Sequence, residues 1–265
     1  PDLETLATFD DQKLVKLWEG LGYYSRVKNL KKTAQIVMED FNKNVPSNFL
    51  ELKSLPGIGN YTASAISAIA FNKPYIPLDG NIERVLKRYL YLKKEYQITK
   101  ESLQEEKKIF GFSSRSSDYA QALMELGALI CKPNNPNCKK CPISERCISY
   151  EKKDFVLNKM KKKNKNKYYL LKVFKKNQKY LLIKNTQFNF LKNFDIFPMQ
   201  EIIKPKNFNK DLNIKLSNMN MNIKIEYNNK AKSVITPNWI DPKNLHNYTL
   251  PTFTKKIVNY LENHK

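Results

Sequence analysis

The 265-residue chain predicts an all-α domain followed by a small α+β domain. Three observations carry that reading. Apolar residues recur at helical spacing through the first ~130 positions. Residues 159–167 then hold six Lys in nine positions, a run that repels itself and cannot pack. From Tyr168 the periodicity changes to that of strands. The expected boundaries are a helical domain over 1–155, a basic linker over 156–167 and the α+β domain over 168–265.

Taken in order, Asp10 and Asp11 can cap a helix carrying Leu14, Val15, Leu17 and Trp18. Leu30, Ala34, Ile36 and Val37 mark the next helix. Pro46–Ser47 opens a short one with Phe49, Leu50 and Leu52, and Tyr61–Phe71, rich in Ala, Ile and Ser, suits a buried one. Ile82–Leu92 is amphipathic, with Arg84, Lys87 and Arg88 placed outward. Ser117 or Asp118 can cap a helix with Ala120, Leu123, Met124, Leu126 and Leu129 that delivers the chain to Cys131. In the second half, Tyr168–Phe174 and Lys179–Lys184 flank a turn at Asn177–Gln178. Ile223–Tyr227 is a further strand and Thr252–Leu261 a closing helix.

Hydrophobic residues make up 41% and aromatics 12%, which excludes a wholly disordered chain. Seven Gly and 13 Pro exclude collagen-like and low-complexity classes. No apolar run approaches the ~18 residues of a membrane-spanning helix. Lys+Arg of 47 against Asp+Glu of 25 leaves a net charge of +22, which favours nucleic acid, then an anionic membrane, as partner. An A/T-rich genome would also enrich Lys, Asn and Ile, so charge alone decides little. Residue 1 is Pro, which suggests a fragment or a processed product.

Cys131, Cys138, Cys141 and Cys147 form C-x6-C-x2-C-x5-C within 17 residues. Four thiols so close can surround one metal centre, and a two-residue gap lets one tight loop present two sulfurs. Zinc and iron–sulfur both remain open, with iron–sulfur ahead because only one C-x2-C pair is present; disulfides rank last.

Leu55-Pro56-Gly57-Ile58-Gly59-Asn60-Tyr61 reads as a tight turn between two helices, with Ile58 anchored in the core. Exposed backbone amides and the following helix's N-terminus would seat a phosphate without reading sequence. Asp79 stands in Pro77-Leu78-Asp79-Gly80-Asn81, just before a helix, where a cap is the ordinary role for Asp.

Hairpin, carboxylate and four-Cys loop, in that order, resemble the endonuclease III-like helix–hairpin–helix superfamily of DNA glycosylases. Trp18-Glu19-Gly20-Leu21-Gly22-Tyr23-Tyr24-Ser25-Arg26 looks like the W-x-G-L-G-Y-Y-x-R segment of its MutY-type adenine glycosylases. That resemblance implies a [4Fe–4S] cluster on the four Cys and double-stranded DNA with an adenine:8-oxoguanine mispair as partner. It also implies base hydrolysis assisted by Asp79, with Asn81 and Tyr61 positioning it. DNA would be held by Gly57, Ile58, Gly59 and Arg26, with Leu21 and Tyr23 at the opened base step. Tyr61 stands where lyases of the superfamily carry an amine nucleophile, so no strand cleavage is expected. The family's general-acid Glu lies on a helix that would precede Pro1; Glu4 and Glu19 do not match that motif.

The resemblance also implies a Nudix-like C-terminal domain that reads 8-oxoguanine. Phe197-Pro198 and Thr249-Leu250-Pro251-Thr252 sit at family landmarks, and Leu216-Ser217-Asn218 is the best match to the lesion loop, with Ser217 keeping its hydroxyl. No Nudix-type helix of spaced glutamates is present, so pyrophosphatase activity is not expected. A monomer without membrane contact, in a bacterial cytoplasm at the nucleoid, completes the expectation. The alternatives are an endonuclease III-like lyase and a non-catalytic DNA-binding module.

Overall fold

The computed structural model describes residues 2–92, 114–155, 164–228 and 237–264. Its contacts divide the chain into two units: Pro1–Thr8 with Asn29–Met160, and Phe9–Lys28 with Lys161–Lys265.

The first unit is helical among its described residues. α1 (Leu3–Thr8) is tied down where Gln35 Nε2 donates to Ala7 O at 3.2 Å. α3 (Ser25–Asp40) buries Ala34 and Val37, at helical spacing as expected. α4 (Phe49–Ser54) starts at Asn48, whose side chain accepts from Leu50 and Glu51 N–H. α5 (Asn60–Ile69), α6 (Gly80–Tyr89) and α7 (Ser116–Glu125) follow. α7 starts at Ser116 without a side-chain cap from Ser117 or Asp118; Asp118 instead pairs with Arg115 at 2.5 Å. Its last turn widens into a π-helix, Leu126–Ile130, closed by Cys131 N–H to Leu126 O at 2.7 Å. Short 3₁₀ turns and α8 (Ile148–Glu151) complete the cysteine loop. Two small cores hold these helices: Val37, Leu52, Leu55 and Ala63, with Ile58 against them, and Ile76, Ile82, Leu86 and Leu123.

α6 is amphipathic as expected, but the outward placement of its arginines is corrected here. Arg84 and Arg88 point inward and are 6% and 3% exposed, while Lys87 lies along the helix surface paired with Glu83. Buried guanidinium groups survive because carbonyl oxygens of the cysteine loop surround them.

Among its described residues the second unit is built on a seven-stranded sheet, β3-β2-β1-β6-β5, with β4 on β1 and β7 on β2. β1 (Lys165–Lys176) begins inside the stretch expected as linker, whose residues 156–163 lie outside the described residues. Asn177 and Gln178 take φ of 49° and 62°, the two left-handed residues of a primed turn, and join β1 to β2 (Lys179–Lys184). β6 (Met219–Asn228) runs parallel to β1, from Lys165↔Met219 to Phe174↔Asn228, and β5 (Leu212–Leu216) pairs antiparallel with β6. β3 (Asp195–Ile196), β4 (Met199–Ile202) and β7 (Asn238–Ile240) are short. α9 (Thr252–Asn263) sets Phe253, Ile257, Val258 and Leu261 on the sheet core. α2 (Asp11–Leu17), capped by Asp10, also belongs to this unit; its Leu17 is exposed rather than core.

Candidate active site and nucleic-acid interface

In the helical unit, Gly57 takes φ of +79° and its Cα lies where a Cβ would meet Asn29 at 2.8 Å. Both facts demand glycine there. Thr33 Oγ1 donates to Pro56 O and Ile58 N–H to Leu55 O, closing the hairpin. Gly59 has ordinary backbone angles and open space around its Cα. It begins α5 with no side-chain cap among the described residues, so the first amides of that helix face outward unclaimed by a side chain. Tyr61, on this first turn, is 45% exposed, too open to be core.

Asp79 is the N-cap of α6. One carboxylate oxygen accepts from the Asn81 and Ile82 amides at 2.8 and 2.7 Å, and the other from Asn81 Nδ2 at 3.1 Å. The capping role and a chemical role are therefore the same geometry: two amides and one carboxamide hold the acid in a single orientation at a helix's positive end. Asn81 is braced in turn by Arg84 Nη2, 2.9 Å from its Oδ1. Gly127 of the π-turn packs on it so closely that a Cβ would lie 2.7 Å from Asn81 Cβ.

Arg84 and Arg88 join this acid to the cysteine loop. Arg84 donates to Gly80 O, Gly127 O and Cys131 O, at 3.2, 2.6 and 2.7 Å. Arg88 donates to Lys132 O, Pro133 O and Phe155 O and reaches Cys131 Sγ at 3.5 Å. Neither arginine was foreseen as a site residue; their partners on the cysteine loop and the π-turn lie more than forty positions away.

Cys131, Cys138, Cys141 and Cys147 line one cavity walled by Val85, Leu126 and other apolar residues. All four are free thiols. Burial pushes the Cys138 thiol up, and the other three cysteines push it further, so the sulfurs feel one another; burial also raises Cys141. Among the described residues no three Cys, His, Asp or Glu side chains are grouped closely enough to hold one metal ion. Four thiols round one cavity are a donor set suited to a thiolate-bound metal group.

The second unit carries a separate feature. Leu21 and Tyr23 are 61% and 68% exposed on a turn in which Gly20, Gly22 and Tyr23 all take positive φ. Trp18 Nε1 donates to Gly22 O, and Arg26 donates to Leu21 O while lying over the Trp18 and Tyr23 rings. Arg26 thus braces this turn. Tyr24 is buried against Phe194, with ring centroids 4.3 Å apart. Tyr23 and Leu21 form one wall of a cleft of about 630 Å³; Ser217, Phe190 and Leu191 form another. Tyr23 Oη lies 3.4 Å from Ser217 Oγ, and Ser217 itself turns the chain with φ of 55°. The structure therefore brings Leu21, Tyr23 and Ser217 together. Phe190 was not singled out; Thr186-Gln187-Phe188-Asn189-Phe190 was the available signal, folded by Asn185 bonds to Phe188 and Phe190.

Comparison with known proteins gives this geometry its family. A model described as HhH-GPD superfamily base excision DNA repair protein matches residues 1–109. The adenine DNA glycosylase of Buchnera aphidicola subsp. Schizaphis graminum (strain Sg) is 30% identical over 289 residues, covering 97% of this chain and 82% of that protein. The chain belongs to the adenine DNA glycosylase family. The adenine DNA glycosylase of Buchnera aphidicola subsp. Baizongia pistaciae (strain Bp) is 38% identical over 186 residues, which is 68% of this chain and 53% of that relative. A solved thermostable thymine-DNA glycosylase superposes with a TM-score of 0.52 at 30% identity, over 57% of this chain and 70% of that one. The helical unit has the helix–hairpin–helix glycosylase fold of this base-excision repair family.

Proposed function

We propose that the protein hydrolyses the N-glycosidic bond of adenine mispaired with 8-oxoguanine in double-stranded DNA, leaving an abasic site and an uncut strand. The observation that carries this is Asp79, held by two amides and the Asn81 side chain in the same unit as a hairpin-started helix whose first amides have no side-chain cap among the described residues. The Gly57–Gly59 hairpin and the α5 N-terminus take a backbone phosphate. Adenine leaves the stack before its bond can be reached. Bond breaking then builds positive charge on the sugar, and the fixed Asp79 carboxylate stabilises it. Tyr61 supplies no amine, so no Schiff base forms with the sugar.

Cys131, Cys138, Cys141 and Cys147 would hold a [4Fe–4S] cluster, which supplies a covalent cross-link for the loop that meets Arg84 and Arg88. Four thiols lining one cavity are the soft donor set that such a cluster would take. Cys138→Ala is expected to lose protein-bound iron and acid-labile sulfide together. Zinc in place of iron after anaerobic purification would contradict the assignment.

The sheet unit is read as the Nudix-like lesion reader: Leu21 and Tyr23 fill the opened step, and Ser217 offers a hydroxyl to the opposite base. The monomeric state and a place at a bacterial nucleoid in the cytoplasm belong to the same proposal. The test is a duplex assay with adenine opposite 8-oxoguanine. Free adenine with an intact strand until alkali is added is expected. A borohydride-trapped protein–DNA adduct would favour the lyase reading instead.

A further inference from the structure

We infer that Glu19 is a positioning residue: its carboxylate clasps the Trp18–Tyr24 turn to the segment leading into α9, and so sets where Tyr23 stands in the cleft it shares with Ser217. The inference rests on the proposed reading of that cleft. Glu19 Oε1 accepts from Lys255 Nζ at 2.7 Å and from the Leu250 amide at 3.2 Å, and Oε2 accepts from Lys16 Nζ at 2.9 Å. Lys16 Nζ also donates to His246 O at 2.8 Å and Tyr248 O at 3.0 Å. One carboxylate and one ammonium thus bind the turn and the end of α2 to four groups on residues 246–255 and to each other.

The side chain is 17% exposed, so these bonds form with little competition from water. Bonds inside the turn, such as Trp18 to Gly22, fix its shape but not its place. Tyr24 on Phe194 is a second, apolar anchor five residues on, and Glu19 is the polar one that reaches Leu250. Removing the carboxylate leaves Lys16 and Lys255 facing each other without their shared anion, which drives the turn away from the sheet domain. Tyr23 lies four residues on and moves with it.

The experiment uses the full-length protein with Glu19→Gln, Glu19→Ala, Lys255→Met and the double variant Glu19→Ala/Lys255→Met. Affinities are measured for duplexes carrying adenine opposite 8-oxoguanine and opposite guanine, and hydrogen exchange is followed on peptides covering 18–24. A general folding defect lowers both affinities together; only a displaced reader changes their ratio. Glu19→Ala is expected to cut the preference for 8-oxoguanine roughly three- to tenfold. Glu19→Gln, which keeps an acceptor for the Leu250 amide, loses less. The double variant falls no further than Glu19→Ala, and exchange at 18–24 quickens in step. An unchanged ratio or unchanged exchange in Glu19→Ala overturns the inference. A wild-type protein with no preference at all would instead sink the proposed reading of the cleft, with exchange still deciding whether the clasp exists.

Discussion

α5 and α6 are both ten-residue helices of the same unit, and their first turns are built in opposite ways. α6 starts under Asp79, whose carboxylate takes up two of its amides. α5 starts at Gly59, with no side chain on its amides among the described residues. A capped start spends its donors on fixing an acid. An uncapped start leaves its donors for an anion from outside. The pair separates two tasks that one helix end could not do together, since a phosphate and a carboxylate would compete for the same amides.

The comparison can be broken from either side. After loss of the Asp79 charge itself, the largest effect is expected at Gly127, where a methyl group would collide with Asn81 and with the backbone of the first turn of α6. Gly127→Ala should lower single-turnover adenine release on the order of a hundredfold, because a small misplacement of the reacting groups is costly, while DNA affinity holds. Gly59→Asp comes next. Gly59 has open space and a φ of −88°, so Asp fits and caps α5. It should raise stability by a few tenths of a kcal/mol and weaken duplex binding at least tenfold, since the new carboxylate occupies and repels the phosphate's seat. Unchanged binding in a salt titration would show that α5 grips nothing. Smaller again is Asn48→Ala, which removes the α4 cap and should cost about 1 kcal/mol in chemical denaturation without altering turnover.

The smallest effect is a pH dependence in the other unit. Burial works to raise the Glu19 carboxyl, but bonds from Lys255, Lys16 and the Leu250 amide outweigh it and hold the group below its usual 4.5. A depressed acid contributes stability that is fully present above its unfolded value and is lost as pH falls through the folded one. The sheet unit should therefore weaken below about pH 4.5, and Glu19→Gln should flatten that part of the profile. Equal profiles for both proteins would remove the clasp from the account.

Local chemistry made much of this legible from residue order alone. Asn177–Gln178 between two apolar runs located a hairpin, and Asp79 before an amphipathic stretch located a helix start. Four clustered cysteines located the loop that lines one cavity. What escaped depends on partners distant in the chain. Arg84 and Arg88 look like solvated residues because the carbonyls that draw them inward are far off in sequence, on Gly127, Cys131, Lys132 and Phe155. Glu19 matched no motif in the sequence, and its role shows only in its distant anchors, Leu250 and Lys255. Leu17 and Leu50 fit apolar patterns yet stand exposed, since periodicity records spacing and not what covers a face. Strands of two to four residues, such as β3 and β4, are too short to show a period at all.

The central claim is that the Asp79 carboxylate acts on the sugar and is more than a helix cap. Asp79→Asn keeps an acceptor for the Asn81 and Ile82 amides but removes the charge. Single-turnover adenine release, measured beside equilibrium binding to the same duplex and thermal unfolding, separates the two roles. We predict a loss of release of about a thousandfold or more, with binding within a few fold and near-native unfolding. Release at the wild-type rate from Asp79→Asn would contradict the account.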